Sequence, residues 1–371
     1  MTAGERPNPV LTVAPGIPSP YLLDLALSFP VQRAGRRRIK IAEARETSTA
    51  AEYALAATAW KVRSGVRDAA LNYFLVQRQM WLAQTLETLF SKKASRLEAR
   101  LAAGDAARPQ VESARLELVN ARLALSAAQG RIRVDRASLA AAVGVPVTAI
   151  EPIHYSWKSL DNPPTPASFS AAAIQREAVL NRLDVRQALA QYQAAQSALQ
   201  LEIARQYPNF SIGPGYQFEE GHNYFALPFS MMLPIFNRNQ GPIAEAEARR
   251  KEAAARFLAV QSNAIAQCEA ALARYRAAYS ELAEARKALG QMQNVQEPDA
   301  RAAVQVGEQD SLYYNGVLVQ GTAVTAAYNS AVGSAQAALG ALEDAVERPL
   351  EPGEVDLPHP GGSHDSEKRM P

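Results

Sequence analysis

Residues 34–103 contain no proline, and their only glycines are Gly35 and Gly65. Within this stretch Val62, Val66, Ala69, Tyr73, Val76, Met80 and Ala83 recur at alternating spacings of four and three. A sustained apolar repeat of ~3.5 residues specifies a helix packed in coiled-coil fashion against another helix. Roughly 70 helical residues rising ~1.5 Å each make a rod on the order of 100 Å long. No ordinary globule built around one core holds such an element. The same pattern returns further on through Ala254, Leu258, Gln261, Ile265, Cys268, Leu272, Tyr275, Tyr279 and Leu282.

The recurrence extends to the rest of the chain, as a self-similar sequence should. Residues 6–10 read RPNPV and residues 206–210 read QYPNF; residues 39–45 read IKIAEAR and residues 243–249 read IAEAEAR. Pro30 and Pro234 precede the two long helices, and LAAGDAAR around Gly104 faces VQVGEQDS around Gly307. At these glycines the helices are expected to turn back into return arms over 109–143 and 311–346. Leu118, Ala121, Leu125, Ala128 and Ile132 mark the first return seam. Alanine dominates all of these helices, which favours close helix approach.

Each copy opens on text with the two-residue period of a strand. Leu23, Leu25, Leu27 and Phe29 fall on one face, and Asp24, Ala26 and Ser28 on the other. Residues 10–14 form a shorter strand before it, with Pro15 to Pro20 as the turn. In the second copy, strands over 210–218 and 224–233 flank the loop Glu219 to Asn223, and Phe225, Leu227, Phe229, Met231 and Leu233 share a face. Strands of about nine or ten residues with an aromatic-rich face fit a tilted bilayer crossing. Pattern alone leaves a second reading open, the edge of a soluble sheet. Four strands do not close a barrel, so the membrane reading requires an oligomer.

The expected organisation is a first repeat over 1–143 (β-hairpin 8–30, helical hairpin 34–143) and an irregular linker over 144–169. A second repeat follows over 170–347 (helix 170–206, β-hairpin 208–234, helical hairpin 240–346), then a disordered tail over 348–371. The fold class is mainly α with a small β part.

Composition narrows the function. A formal net charge of +2 gives no polyelectrolyte signal, so nucleic acid is not an expected partner. Cys268 is the single cysteine, and it falls inside a helical seam, where it reads as a small core residue. The four histidines are scattered without ligand spacing, so no metal site and no cofactor are expected. No Ser/His/Asp set or phosphate loop is present, and the chain is not expected to be an enzyme. No run of about 20 apolar residues offers a transmembrane helix. The N-terminal text MTAGERPNPV lacks the basic start and apolar core of a signal peptide.

A β-hairpin feeding a long antiparallel helical hairpin, repeated twice, resembles the TolC family of outer-membrane efflux proteins. LPIFNRNQGPIAEAEARR (residues 233–250) looks like the family's strand-to-helix junction, in the form typical of the heavy-metal cation branch. Arg182-Leu183-Asp184 stands where the family carries its RPD segment. The resemblance covers about residues 6–347. It implies a homotrimer whose strands form one 12-stranded barrel in outer-membrane lipid, continuous with a periplasmic α-barrel. It also implies a passive duct joined through a periplasmic adaptor to an inner-membrane pump. Leu23, Leu25, Leu27, Phe29, Phe225, Leu227 and Phe229 would then face lipid, and Asp24, Ser28 and Ser230 water. Gly104, Asp105, Gly307, Glu308 and Asp310 would form the periplasmic tips that meet the adaptor.

The family pattern also places a helix before the first hairpin, matching 170–206 before the second, and this chain shows no such helix ahead of residue 6. A mis-called start or an N-terminal truncation is the expectation. The family's tip aspartate, six residues beyond the glycine, is replaced here by Gln110 and Tyr313, while Glu308 and Asp310 keep acid nearby either as gate lining or as polar turn residues. The competing readings are a soluble coiled-coil scaffold and a truncated efflux protein without function.

Overall fold

The computed structural model describes residues 2–16, 22–33 and 35–350. The expected turn at Pro15–Pro20 falls largely outside the described residues, as does the tail from residue 351 on. In chain order the elements are β1 (Val10–Gly16), β2 (Leu22–Val31), α1 (Arg36–Ala103), α2 (Arg108–Val143), α3 (Val147–Ile150), α4 (Ala171–Asn181) and α5 (Leu183–Ala204). Then come β3 (Phe210–Ile212), β4 (Gly215–Glu219), β5 (His222–Ala226), β6 (Phe229–Met231), α6 (Gln240–Gln291), a π-helical turn (Met292–Gln296), α7 (Glu297–Gln305) and α8 (Ser311–Val346). The protein is thus mainly helical with one antiparallel sheet. The described residues form two compact units, one from 2–57 with 183–263, the other from 58–182 with 264–350, and each draws on both sequence copies.

The first unit holds the sheet. β2 pairs with β1 along one edge, and along the other with β4 and then β3. β5 pairs with β4, and β6 with β3. The strand text over 210–218 therefore runs as two short strands in line, and so does the text over 222–231. Pro214 and Pro228 sit at the two breaks; proline has no N–H for a central ladder. At the first break Leu27 donates its N–H to the Pro214 carbonyl at 3.0 Å. A β-carbon on Gly213 would fall 1.7 Å from the Leu27 carbonyl oxygen, so only glycine fits that crossing. The β4–β5 turn places Glu220 and Gly221 at φ 51° and 82°, the left-handed pair that a two-residue hairpin needs.

The second unit is a helical bundle whose interfaces are made of small residues and a few large ones. Cys268, Leu272 and Tyr275 of α6 pack with Ile174 and Ala178 of α4 and with Leu339, Leu342 and Val346 of α8. Leu71 and Phe74 of α1 meet Leu282 of α6 and Val332 of α8. Tyr73 and Val76 meet Leu139 and Ala140 of α2 and Ile150 of α3. Where α1 crosses α8, glycine sets the distance: a β-carbon on Gly333 would come within 2.7 Å of the Leu75 side chain.

The text between the copies, 144–169, is less irregular than its prolines suggest. It carries α3 and lies against the helices. Trp157 stacks on Tyr155 with centroids 5.0 Å apart and donates its indole N–H to Gln77 at 3.0 Å. Gln336 donates to the Leu160 carbonyl, and Tyr275 to that of Pro164. The stretch 170–206, expected as one helix, is instead two. Arg182 adopts an extended backbone (ψ 127°) between α4 and α5, and its buried guanidinium donates to Gln267 at 2.8 Å and to the Ala345 carbonyl at 3.2 Å.

Candidate functional site: a one-sided sheet and a pair of joined tips

Register across the sheet sorts its side chains into two faces, because directly paired residues project to the same side. One row runs Val13–Leu25–Tyr216–Phe225, and the row beside it Ala14–Asp24–Gln217–Tyr224. Further along, Phe29–Ile212–Phe229 and Val31–Phe210–Met231 continue the apolar face, while Pro30–Ser211–Ser230 continues the other. Leu23, Leu25, Leu27, Phe29, Phe225 and Phe229 thus share one face. Leu227 lies at the Pro228 break, outside the paired strands. Among the described residues of the first unit, none covers this face: Phe225 is 85% exposed, and Val13, Phe29, Leu227 and Phe229 are exposed as well. Such an apolar patch on a protein marks a membrane or interaction surface.

The tips belong to the second unit. Gly104 and Gly307 end their helices at φ 85° and 82°. In both, the next residue's N–H reaches back five positions, Asp105 to the Arg100 carbonyl (2.8 Å) and Glu308 to the Ala303 carbonyl (2.9 Å). This is one glycine-dependent helix stop used twice. The return helices start differently. Asp310 caps α8, its Oδ1 accepting from the amides of Leu312 (2.9 Å) and Tyr313 (2.8 Å). At the matching place α2 has Ala107, which lacks a capping side chain, and Gln110 bonds back to the Ala107 N–H at 3.1 Å.

Asp310 also joins the two tips. Its Oδ2 takes a charge-assisted bond from Arg100 at 2.9 Å, and Arg96 donates to the Ser311 carbonyl at 2.9 Å. Beneath them Leu312 packs on Ala94, Leu97, Val111 and Ala114. The structure therefore brings Gly104, Asp105, Gly307, Glu308 and Asp310 to one end of the bundle. Arg96, Arg100 and Gln110 complete this end, and sequence reasoning misses them because their partners lie on other helices or in a backbone cap.

The Tyr313 amide and the Arg100 guanidinium hold the Asp310 carboxyl below the usual carboxylate range, against the opposing effect of partial burial. A depressed folded-state value means that the stabilisation is present above the unfolded value of about 4 and is lost as pH falls through the folded one. Asp310→Ala is expected to speed hydrogen exchange at the Leu312 and Tyr313 amides by roughly fivefold, the effect of losing a cap of about 1 kcal/mol. In the native protein the same amides should exchange faster below pH 4 after correction for intrinsic rates; an unchanged pattern would mean the cap is idle.

Among the described residues, no group of three or more His, Cys, Asp and Glu is arranged to hold a metal ion, and no helix is long and apolar enough to cross a membrane. The second statement says nothing about strands.

Residues 17–145 match the family described as outer membrane efflux protein. The chain is 26% identical over 235 residues to the cobalt-zinc-cadmium resistance protein CzcC of Cupriavidus metallidurans, covering 63% of this chain and 55% of that protein. It is 25% identical over 225 residues to the pyoverdine export outer membrane protein OpmQ of Pseudomonas aeruginosa, covering 58% and 46%. The chain therefore spans about half the length of the curated relatives it matches. Its fold is similar to that of the outer membrane protein VceC of Vibrio cholerae, with a TM-score of 0.70 at 19% identity over 93% of this chain and 87% of that one. By sequence over residues 17–145 this chain is similar to the outer membrane efflux proteins, and by fold over most of its length it is similar to VceC.

Proposed function

We propose that the protein is an outer-membrane duct subunit, a passive exit path for solutes delivered by an energised pump. One observation carries this reading: a sheet four strand positions wide, with β3 in line with β4 and β5 in line with β6, that has an uncovered apolar face on one side and a polar face on the other. A bilayer satisfies the first face and a water-filled lumen the second. The sheet also leaves β1 and β5–β6 as free edges, and in lipid an open edge is not tolerated. Copies of the chain must therefore close the ring, and three would make 12 strands.

The paired tips are the adaptor-binding end. A rigid, doubly stopped helix end with polar residues at its apex is suited to docking a helical partner. The transported solute belongs to the pump. The name of CzcC favours heavy-metal cations, and the RNQG text at 238–241 supports that branch.

Cysteines placed at Asp105 or Glu308 are expected to crosslink to a periplasmic adaptor in intact cells, whereas one at Glu219 should not. Crosslinking from Glu219 alone would reverse the orientation, and crosslinking from none of the three would remove the adaptor from the proposal.

A further inference from the structure

The lower end of the sheet carries a feature that the duct reading does not use. The last paired row is Val31–Phe210–Met231, and immediately beyond it the apolar surface continues through Met232, Leu233, Ile235 and Phe236, the last 98% exposed. Close by stand Arg33 on the connection after β2, Arg37 and Arg38 in the first turn of α1, and Arg238 on the connection after β6, all exposed. Both connections are tied to the end of α5 and the residues that follow it. Arg36 donates to the Ala204 carbonyl (3.1 Å), to that of Tyr207 and to Asn209 Oδ1 (2.9 Å), and Asn239 donates to Glu202.

Among the described residues, none of Arg33, Arg37, Arg38 and Arg238 forms an ion pair; Arg37 donates to the Gly4 carbonyl at 2.6 Å, and Arg33 lies over the Phe210 ring, 6.0 Å from its centroid. The first turn of α1 contains no acid, and cations there oppose the helix macrodipole, so the helix gains nothing from them. Glu202 is taken up by Arg205 and Asn239. Burial, followed by the Arg205 charge, pulls the Arg36 guanidinium below its ordinary value.

An exposed apolar band bordered by exposed arginines outside any ion pair, with Tyr207 exposed as well, has the profile of a surface seated at a lipid headgroup layer. We infer that Arg33, Arg37, Arg38 and Arg238 form a basic girdle that binds the phosphates of anionic phospholipids where the sheet leaves the bilayer. This rests on the membrane reading of the sheet. It commits to lipid because the apolar band and the cations are contiguous, and a free phosphate would have no use for the band.

The test uses the full chain, purified in detergent and mixed with vesicles of phosphatidylcholine alone or with a minor share of phosphatidylglycerol, read by flotation. The wild type should favour the anionic vesicles by about tenfold at low salt. Arg33→Gln, Arg37→Gln, Arg38→Gln and Arg238→Gln combined should bring the two vesicle types level, while the four corresponding lysine substitutions should keep the preference. Removing the same charge elsewhere, through Arg108→Gln, Arg133→Gln, Arg274→Gln and Arg276→Gln, should leave it intact. Equal loss in both glutamine variants, or none in the first, overturns the girdle. So does loss of the preference in phosphate but not in chloride at matched ionic strength, which would mark a site for free phosphate. A wild type that enters both vesicles equally refutes the girdle alone; one that enters neither refutes the membrane reading with it.

Discussion

Leu25→Arg is expected to destabilise the bilayer-inserted sheet by about 2–4 kcal/mol, the cost of an arginine on a lipid-facing strand near the midplane. Leu25 stands in the row Val13–Leu25–Tyr216–Phe225, in the middle of the longest strand, where the whole row is apolar. Asp24→Arg, one residue away, lands between Ala14 and Gln217 on the polar face and should cost far less. The measurement is urea unfolding of the protein refolded into vesicles, with both variants beside the wild type. A soluble sheet would show a smaller difference, because a half-exposed leucine replaced by a long side chain reaches water easily. Equal damage from the two substitutions would place neither face in lipid.

Arg67→Met is expected to cost about 3 kcal/mol, the lower end of the range for breaking a buried ion pair. Glu343 of α8 is almost wholly buried, with 2% of its side chain exposed. It accepts from Arg67 at 2.9 Å, from Arg63 at 3.2 Å and from the Leu350 amide at 2.9 Å. Arg67 also binds the Gly340 carbonyl and Asp344. Removing Arg67 leaves a carboxylate in a helix interface with Arg63 still in place, which is why the full penalty is not expected. Gly340→Ala attacks the same contact from the other side, since its β-carbon would fall 2.4 Å from the Arg67 guanidinium carbon. Arg67→Met with Glu343→Gln should recover part of the loss by removing the stranded charge. Thermal unfolding followed by circular dichroism decides the matter; a melting curve unmoved by Arg67→Met would show that Arg63 satisfies Glu343 alone.

The long helices are readable in the sequence because their signal is redundant. Proline is missing from residues 34–103, and Tyr73, Val76 and Ala83 repeat at the seam that the fold buries. The two-faced sheet is readable for the same reason, since every second residue from Leu23 to Val31 is apolar. What escapes is whatever depends on a partner distant in sequence. Val62 and Leu258 fit the heptad spacing as well as Val76 does, yet both are exposed, because spacing reports a face and not its occupant. The break at Arg182 is invisible because Leu183 continues the helical text; the extended backbone is held by Gln267 and Ala345. The π-helical turn at Met292–Gln296 has no local signature either. Met292 is buried there, and a β-carbon on Gly321 would lie 3.1 Å from its methyl, a fit set by α8. The prolines at 214 and 228 do announce the strand breaks, and continuous strands over 210–218 and 224–233 give them too little weight. At the tips the glycines are legible, whereas the clasp from Arg100 to Asp310 joins helices that sequence reading treats separately.

The strand order has a kinetic consequence. β2 pairs with β1 just before it, but its other edge meets β3 and β4, which follow only after α1 to α5 have been made. A lone two-stranded hairpin is marginal in water, so the first one must wait, its apolar side chains uncovered, while α1 to α5 and the text that connects them emerge. Pairings this distant close slowly, because the entropy of the intervening loop is lost before any contact rewards it. The helices need no such delay, since their hydrogen bonds are local. The chain therefore assembles from its rods toward its sheet, and the segment most prone to aggregate is the one that finishes last. On the duct reading that order is useful to a cell that must carry the polypeptide to a membrane: the part proposed for lipid stays unfinished until lipid is at hand.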